Sequence, residues 1–192
     1  MKPIEYSRIQ TKNILAAGLK QAWPGVKFTI KICKWERLLV EWVEGPPESE
    51  VAPIVHQFST GTFDGMIDLY EYDRGSVQVY CGAGRGELQR WRWTSVRRTL
   101  TDEYKRPLIA ALEENWGRAY NECSTFDRFR LDDDETAMAL RLHPRQPSPI
   151  LDSIFYVPED ETVEAMFAVR EASLIAAHVQ PTGKPTARSL RI

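Results

Sequence analysis

Val26-Lys27-Phe28-Thr29-Ile30-Lys31-Ile32 alternates apolar and polar residues, and Leu38-Leu39-Val40-Glu41-Trp42-Val43 follows after five residues. Successive side chains of a strand point to opposite faces, so Val26, Phe28, Ile30 and Ile32 share one face while Lys27, Thr29 and Lys31 share the other. The pattern predicts a half-buried strand with a positively charged outer face. The short connection through Trp35 and Glu36 favours an antiparallel hairpin with the second strand.

Reading outward, Leu15, Leu19 and Ala22 recur at helical spacing and predict a helix over about 8–22. Trp23-Pro24-Gly25 stops it, because proline disfavours helical geometry in the residue before it. Gly45-Pro46-Pro47 breaks the second strand. Ser49 then caps a helix carrying Val51, Ile54, Val55 and Phe58, in which Pro53 is tolerable only within the first turn. Residues 60–68 read as a compact turn around Asp64-Gly65. Strands are predicted at about 76–81 and 88–96, separated by the loop Gly82-Ala83-Gly84-Arg85-Gly86. A third helix spans about Thr101 to Trp116, with Leu108, Ile109, Leu112 and Trp116 inward and Gly117 at its end.

The order α-β-β-α-β-β-α predicts an α+β fold, helices packed on an antiparallel sheet, over residues 1–120. A C-terminal extension over 121–180 is expected to add an acidic turn at Asp132-Asp133-Asp134-Glu135. A strand over Ile150–Val157 and a helix over Thr162–His178 complete it. Residues 181–192 read as a flexible basic tail.

The 192 residues carry a formal charge of −2, which hides strong segregation. Residues 38–73 hold eight acids and no lysine or arginine, whereas residues 1–37 sum to +6 and residues 74–98 to +5. Charge arranged on this scale points to macromolecular binding more than to bond-breaking chemistry. Cys33, Cys81 and Cys123 form no C-x-x-C, and the three histidines are scattered, so reduced thiols and no metal or cofactor are expected. The sequence shows neither a signal peptide nor an apolar run of about 20 residues, and a cytoplasmic setting follows as the expectation.

Three patches occur together: Trp23-Pro24-Gly25-Val26-Lys27-Phe28, then Val40-Glu41-Trp42 with Gly45-Pro46, then Phe63-Asp64-Gly65-Met66-Ile67-Asp68. Over about residues 12–117 the chain resembles the large polyvalent protein-associated domain family of phages, plasmids and conjugative elements. Glu44 departs from the pattern, which more usually has aspartate there. The resemblance implies an accessory module of a mobile element and carries over no catalytic residue. It implies, by analogy, a counter-defence inhibitor of anti-CRISPR or anti-restriction type.

Two surfaces compete for such a role. The acids Glu41, Glu44, Asp64, Asp68, Glu71 and Asp73 can present negative charge to a basic cleft of a host defence nucleoprotein or nuclease complex; alternatively they form a solvated face. Arg85, Arg90, Arg92, Arg97 and Arg98 can bind phosphate directly, with Trp91 and Trp93 stacking on unpaired bases; alternatively this is a basic strand with buried tryptophans. The leading expectation is a non-enzymatic inhibitor that obstructs the complex's nucleic-acid site. The alternative is a direct DNA- or RNA-binding accessory factor using the Arg90/Arg92 strand. An enzyme would require Asp64, Asp68 and Glu71 to converge with another polar group, but Asp64 more readily bonds the amides of its own turn. Gly82, Gly84 and Gly86 lack phosphate-loop spacing and read as a hairpin loop. Cys33 or Cys81 with His56 forms a dyad only formally, since Cys81 continues the buried Val77 and Val79 alternation.

Overall fold

The computed structural model describes residues 4–64, 69–80, 85–122, 125–159, 161–162, 165–166 and 168. Their elements run β1 (Ile4–Tyr6), α1 (Arg8–Ala22), β2 (Thr29–Cys33), a 3-10 turn (Lys34–Glu36), β3 (Arg37–Val43), α2 (Glu48–His56), β4 (Gly61–Asp64) and β5 (Leu69–Tyr72). There follow β6 (Ser76–Tyr80), β7 (Arg85–Leu88), β8 (Trp93–Thr99), α3 (Asp102–Trp116), α4 (Thr125–Leu142), α5 (Pro149–Asp152) and β9 (Ile154–Val157). The fold is α+β, as the alternating segments predict.

The sheets mix parallel and antiparallel pairs. One has the order β1-β7-β6-β9, a second β2-β3-β8, and β4-β5 forms a hairpin. The β2–β3 pair is antiparallel, as its short connection requires, but β8 joins β3 in parallel, Arg37 opposite Trp93 and Val43 opposite Thr99. A parallel neighbour needs a long crossover, here everything from α2 to β7.

Ser7 and Gln10 form a reciprocal capping box that starts α1, which ends at Ala22 ahead of Pro24. The core gathers Leu15 and Leu19 of α1, Leu38, Val40 and Trp42 of β3, Val51 and Val55 of α2, and Val77, Leu88 and Trp91. Phe28 bridges Trp23 and Trp42 at ring-centroid distances of 6.0 and 5.5 Å. Ser148 donates to the Gly18 carbonyl at 3.0 Å, and the Trp23 indole N–H donates to the His143 carbonyl at 3.1 Å. These bonds seat the C-terminal elements on α1, and β9 completes the first sheet beside β6.

Several expectations change. Residues 88–96 are not one strand: β7 and β8 belong to different sheets, and residues 89–92 cross between them. Residues 60–68 contain β4 rather than only a turn, and β5 returns along it with Asp64 opposite Leu69. Pro47, not Ser49, precedes α2, which places Pro53 beyond the first turn of a short helix. The strand expected over Ile150–Val157 begins only at Ile154, because Ser148 caps α5 in front of it. Of the helix expected over Thr162–His178, residues 165, 166 and 168 are described and helical. Gly65 to Asp68, Cys81 to Gly84, Cys123 and the 181–192 tail lie outside the described residues.

The Asp132–Glu135 run is not a turn; it lies within α4. Asp132, Asp133 and Asp134 are exposed, while Glu135 turns inward and accepts from Arg98 Nη1 at 2.9 Å. The Arg98 and Glu135 side chains are only 6% and 12% exposed. Arg98 also donates to the carbonyls of Glu44 at 3.1 Å and Gly45 at 2.8 Å, and its guanidinium lies 5.9 Å from the Tyr104 ring centroid. One cation thereby ties β8 to the turn after β3, to α3 and to α4. Removing a single partner of a buried ion pair strands the other charge. Arg98→Ala is therefore expected to cost about 3–5 kcal/mol in urea denaturation. The double variant Arg98→Met/Glu135→Leu should recover much of that loss.

Candidate functional site

Trp91 leaves the end of β7 and inserts between the sheets, fully buried with its ring 6.3 Å from that of Phe58. Its backbone exchanges bonds with the neighbouring loop: Trp91 N–H donates to the Phe58 carbonyl and Thr60 N–H to the Trp91 carbonyl, each at 2.8 Å. This fixes the preceding Arg90 inside the fold, with its side chain 8% exposed. Arg90 donates to Asp73 Oδ2 at 2.7 Å, to the Gly75 carbonyl at 2.6 Å and to the Ser59 carbonyl. Its guanidinium lies 5.4 Å from the Tyr156 ring centroid, and the Tyr156 hydroxyl donates to Asp73. Gly75 N–H supplies a further bond to Asp73 at 2.6 Å.

Burial alone would raise the pKa of Asp73. The hydrogen bonds from Tyr156, Gly75 and Arg90, with the Arg90 charge, more than offset it and hold the carboxyl below its usual range. Arg90 and Asp73, placed by sequence reading on opposing contact surfaces, are partners in one internal ion pair. The Arg90 side chain is interior, while that of Asp73 is 37% exposed.

The same pairing recurs on the second sheet. Glu41 accepts from Lys31 at 2.6 Å and from Arg97 at 3.2 Å. Its pKa is lowered, first by the Lys31 hydrogen bond and then by the Lys31 and Arg97 charges. Glu44 has φ +57°, a region that suits aspartate better than glutamate, and its carboxylate accepts from the Thr101 hydroxyl. Glu48, another acid of the 38–73 segment, accepts from the Arg98 amide at 2.7 Å. Glu41, Glu44 and Asp73 are thus each engaged within this chain. Asp64 and Glu71 occupy the β4–β5 hairpin, and Asp68 lies outside the described residues.

What the structure does assemble is the outer face of β2-β3-β8. Register puts Leu38, Val40, Val96 and Trp42 on the inner face toward α1 and α2. The opposite face carries Lys31 from β2, Arg37 and Glu41 from β3, and Trp93, Ser95 and Arg97 from β8. Lys31 and Arg97 have side chains 56% and 63% exposed, and Arg37 is exposed while donating to Ser95 Oγ at 3.0 Å. Glu41 is the one acid among these strand positions. At the end where β8 begins, Arg92 stacks 4.6 Å from the Trp93 ring centroid and donates to the Tyr72 hydroxyl.

Of the five arginines expected on a basic strand, Arg92 and Arg97 thus lie along this sheet. Arg90 and Arg98 are interior, and Arg85 opens β7 in the other sheet opposite Tyr80. Lys31 and Arg37 were missed as site residues. The charge at Lys31 was visible, but their adjacency to Arg97 depends on the parallel β3–β8 pairing. Gly86 is a strand residue packed beneath Tyr6, where an added Cβ would overlap the ring. His56 Nδ1 lies 2.9 Å from the Thr94 hydroxyl, and Cys33 is paired across the sheet with Arg37. Among the described residues no three His, Cys, Asp or Glu side chains gather to hold a metal ion, and no helix is long and apolar enough to cross a membrane.

The family model of large polyvalent protein associated domain 29 matches residues 6–103, from the end of β1 into α3. No curated protein and no solved structure matches this chain.

The Arg90 site generates a pH signature. With Asp73 depressed below its unfolded value of about 3.9, its stabilisation is complete above that value and is lost as pH falls through the folded pKa. Stability followed by chemical denaturation should fall more steeply below about pH 4 in the wild type than in Asp73→Asn. Gly75 offers an independent check, because an added Cβ would come within 2.5 Å of the Val157 carbonyl oxygen and overlap Tyr156. Gly75→Ala is expected to cost about 1–3 kcal/mol in the same assay.

Proposed function

We propose that this chain, which belongs to the large polyvalent protein associated domain 29 family and is a phage- or mobile-element-associated protein, is a non-enzymatic accessory module that binds nucleic acid. The observation that carries this reading is the outer face of β2-β3-β8, where Lys31, Arg37 and Arg97 stand exposed around a single acid. Cations spaced along neighbouring strands match the repeating negative charge of a phosphate backbone, and binding there releases condensed counterions. Arginine adds a planar donor fork that fits phosphate oxygens.

A second reading is suggested by the mobile-element context. A counter-defence inhibitor of anti-CRISPR or anti-restriction type would set this same face against the nucleic acid of a host nucleoprotein or nuclease complex. The acids invoked for a direct protein contact give that version less support, since Glu41 and Asp73 are already held by arginines of this chain. Capture of a host complex from lysate that persists after nuclease treatment would favour a protein contact.

Fluorescence anisotropy with a labelled oligonucleotide tests the nucleic-acid reading. The logarithm of the affinity should fall linearly with the logarithm of salt concentration, by about 0.7–0.9 per phosphate engaged. The variant Lys31→Gln/Arg37→Gln/Arg97→Gln should reduce that slope by about two to three and weaken binding across sequences. Affinity that ignores both salt and the triple substitution would sink the proposal.

A further inference from the structure

Trp35 is 81% exposed, and it stands in the tight turn that joins β2 to β3. Its backbone has φ +63° and ψ +31°, and Glu36 follows at φ +57°. Bulky residues seldom occupy this left-handed region, which glycine or asparagine adopts at less cost. The turn is held by the closing Cys33–Arg37 pair and by an ion pair of 2.8 Å between Arg8 and Glu36. Trp35 lies outside the hydrophobic core. A large apolar ring is thus kept in solvent on a strained backbone, an arrangement found where a side chain serves a ligand rather than the fold.

The surroundings indicate which ligand. Arg37, two residues on, pairs across the sheet with Trp93, so the turn and the start of β8 lie at one end of the cationic face. There Arg92 stacks on Trp93 and meets the Tyr72 hydroxyl, and the Arg92 charge contributes to lowering the pKa of Glu36 after the larger effects of Arg8. The turn bearing Trp35 thus stands at the same end of the sheet as Trp93 and its stacked guanidinium. Lys31 and Arg97 continue along it, Arg97 about 13 Å beyond Trp93 at the usual strand rise.

We infer that this end of the sheet is a stacking platform for unpaired bases, and that the face takes single-stranded nucleic acid in preference to duplex. The inference rests on the nucleic-acid reading above. Duplex DNA keeps its base faces inside the helical stack, so an exposed indole finds a flat partner only on an unpaired base. Stacking on aromatic rings is tolerant of sequence, while the cations track the phosphates.

The experiment uses the full chain with dT16, rU16 and a 16-base-pair duplex at low salt, read by anisotropy and by tryptophan emission. At least one of the single strands should bind about tenfold or more tighter than duplex and quench the emission. Trp35→Ala should weaken single-strand binding by about tenfold, leave duplex binding unchanged and remove part of the quench, whereas Trp35→Phe should retain most of the affinity. Trp35→Gly should melt no lower than the wild type, which separates a binding role from a structural one. Equal affinity for single strands and duplex, with Trp35→Ala indifferent, would overturn the platform and leave the charged face standing. Failure to bind any of the three ligands would overturn both.

Discussion

The bond network of Arg90 holds together parts of the chain that lie far apart in sequence. One guanidinium reaches the end of α2 through Ser59, the β5–β6 connection through Asp73 and Gly75, and β9 through Tyr156. Because Arg90 lies in the four-residue crossing between β7 and β8, the same contacts decide that these strands enter different sheets. Burying a guanidinium without acceptors is costly, and the carbonyls of Ser59 and Gly75 and the carboxylate of Asp73 converge on its two terminal nitrogens as the crossing closes. The parallel β3–β8 pair, and the cationic face built on it, follow from that crossing.

The segregation of charge along the chain has a matching explanation. Acids of the 38–73 segment and arginines of the 74–98 segment meet as Glu41–Arg97 and Asp73–Arg90, while Glu48 receives the Arg98 amide. Much of the apparent conflict between an acidic and a basic surface is therefore internal complementarity between adjacent strands. What emerges on the outer sheet face is a local surplus of cations, since Lys31, Arg37 and Arg97 share it with the one acid Glu41.

Periodicity made much of the architecture legible. The Leu38–Val43 strand, the helix over 8–22 and the Thr101-to-Gly117 helix follow from local chemistry, whereas of the Val26–Ile32 alternation only the part from Thr29 onward is strand. Long-range pairing was not legible in the same way. Arg90, Trp91, Arg92 and Trp93 read as one alternating strand, yet the Asp73 carboxylate and two carbonyls draw Arg90 inward while Trp91 packs beside Phe58. Asp132 to Glu135 read as a solvated turn because three of the four acids are indeed exposed; the pairing of the fourth with Arg98 depends on contacts 37 residues away. In the sequence Trp35 reads only as part of a connection. Its exposure and positive φ belong to the folded turn and leave no periodic trace.

The order of the four-stranded sheet also sets a timetable. β6 and β7 can pair as a hairpin soon after both are synthesised, but β1 joins β7 across more than eighty residues, and β9 joins β6 across a similar gap. Contacts so distant in sequence form late, since the intervening loop must be closed before they contribute. During synthesis the β6 edge therefore stays open until residue 157 has left the ribosome. Through that interval the nascent chain exposes an unpaired apolar strand, the kind of edge that chaperones shield and that neighbouring chains can capture.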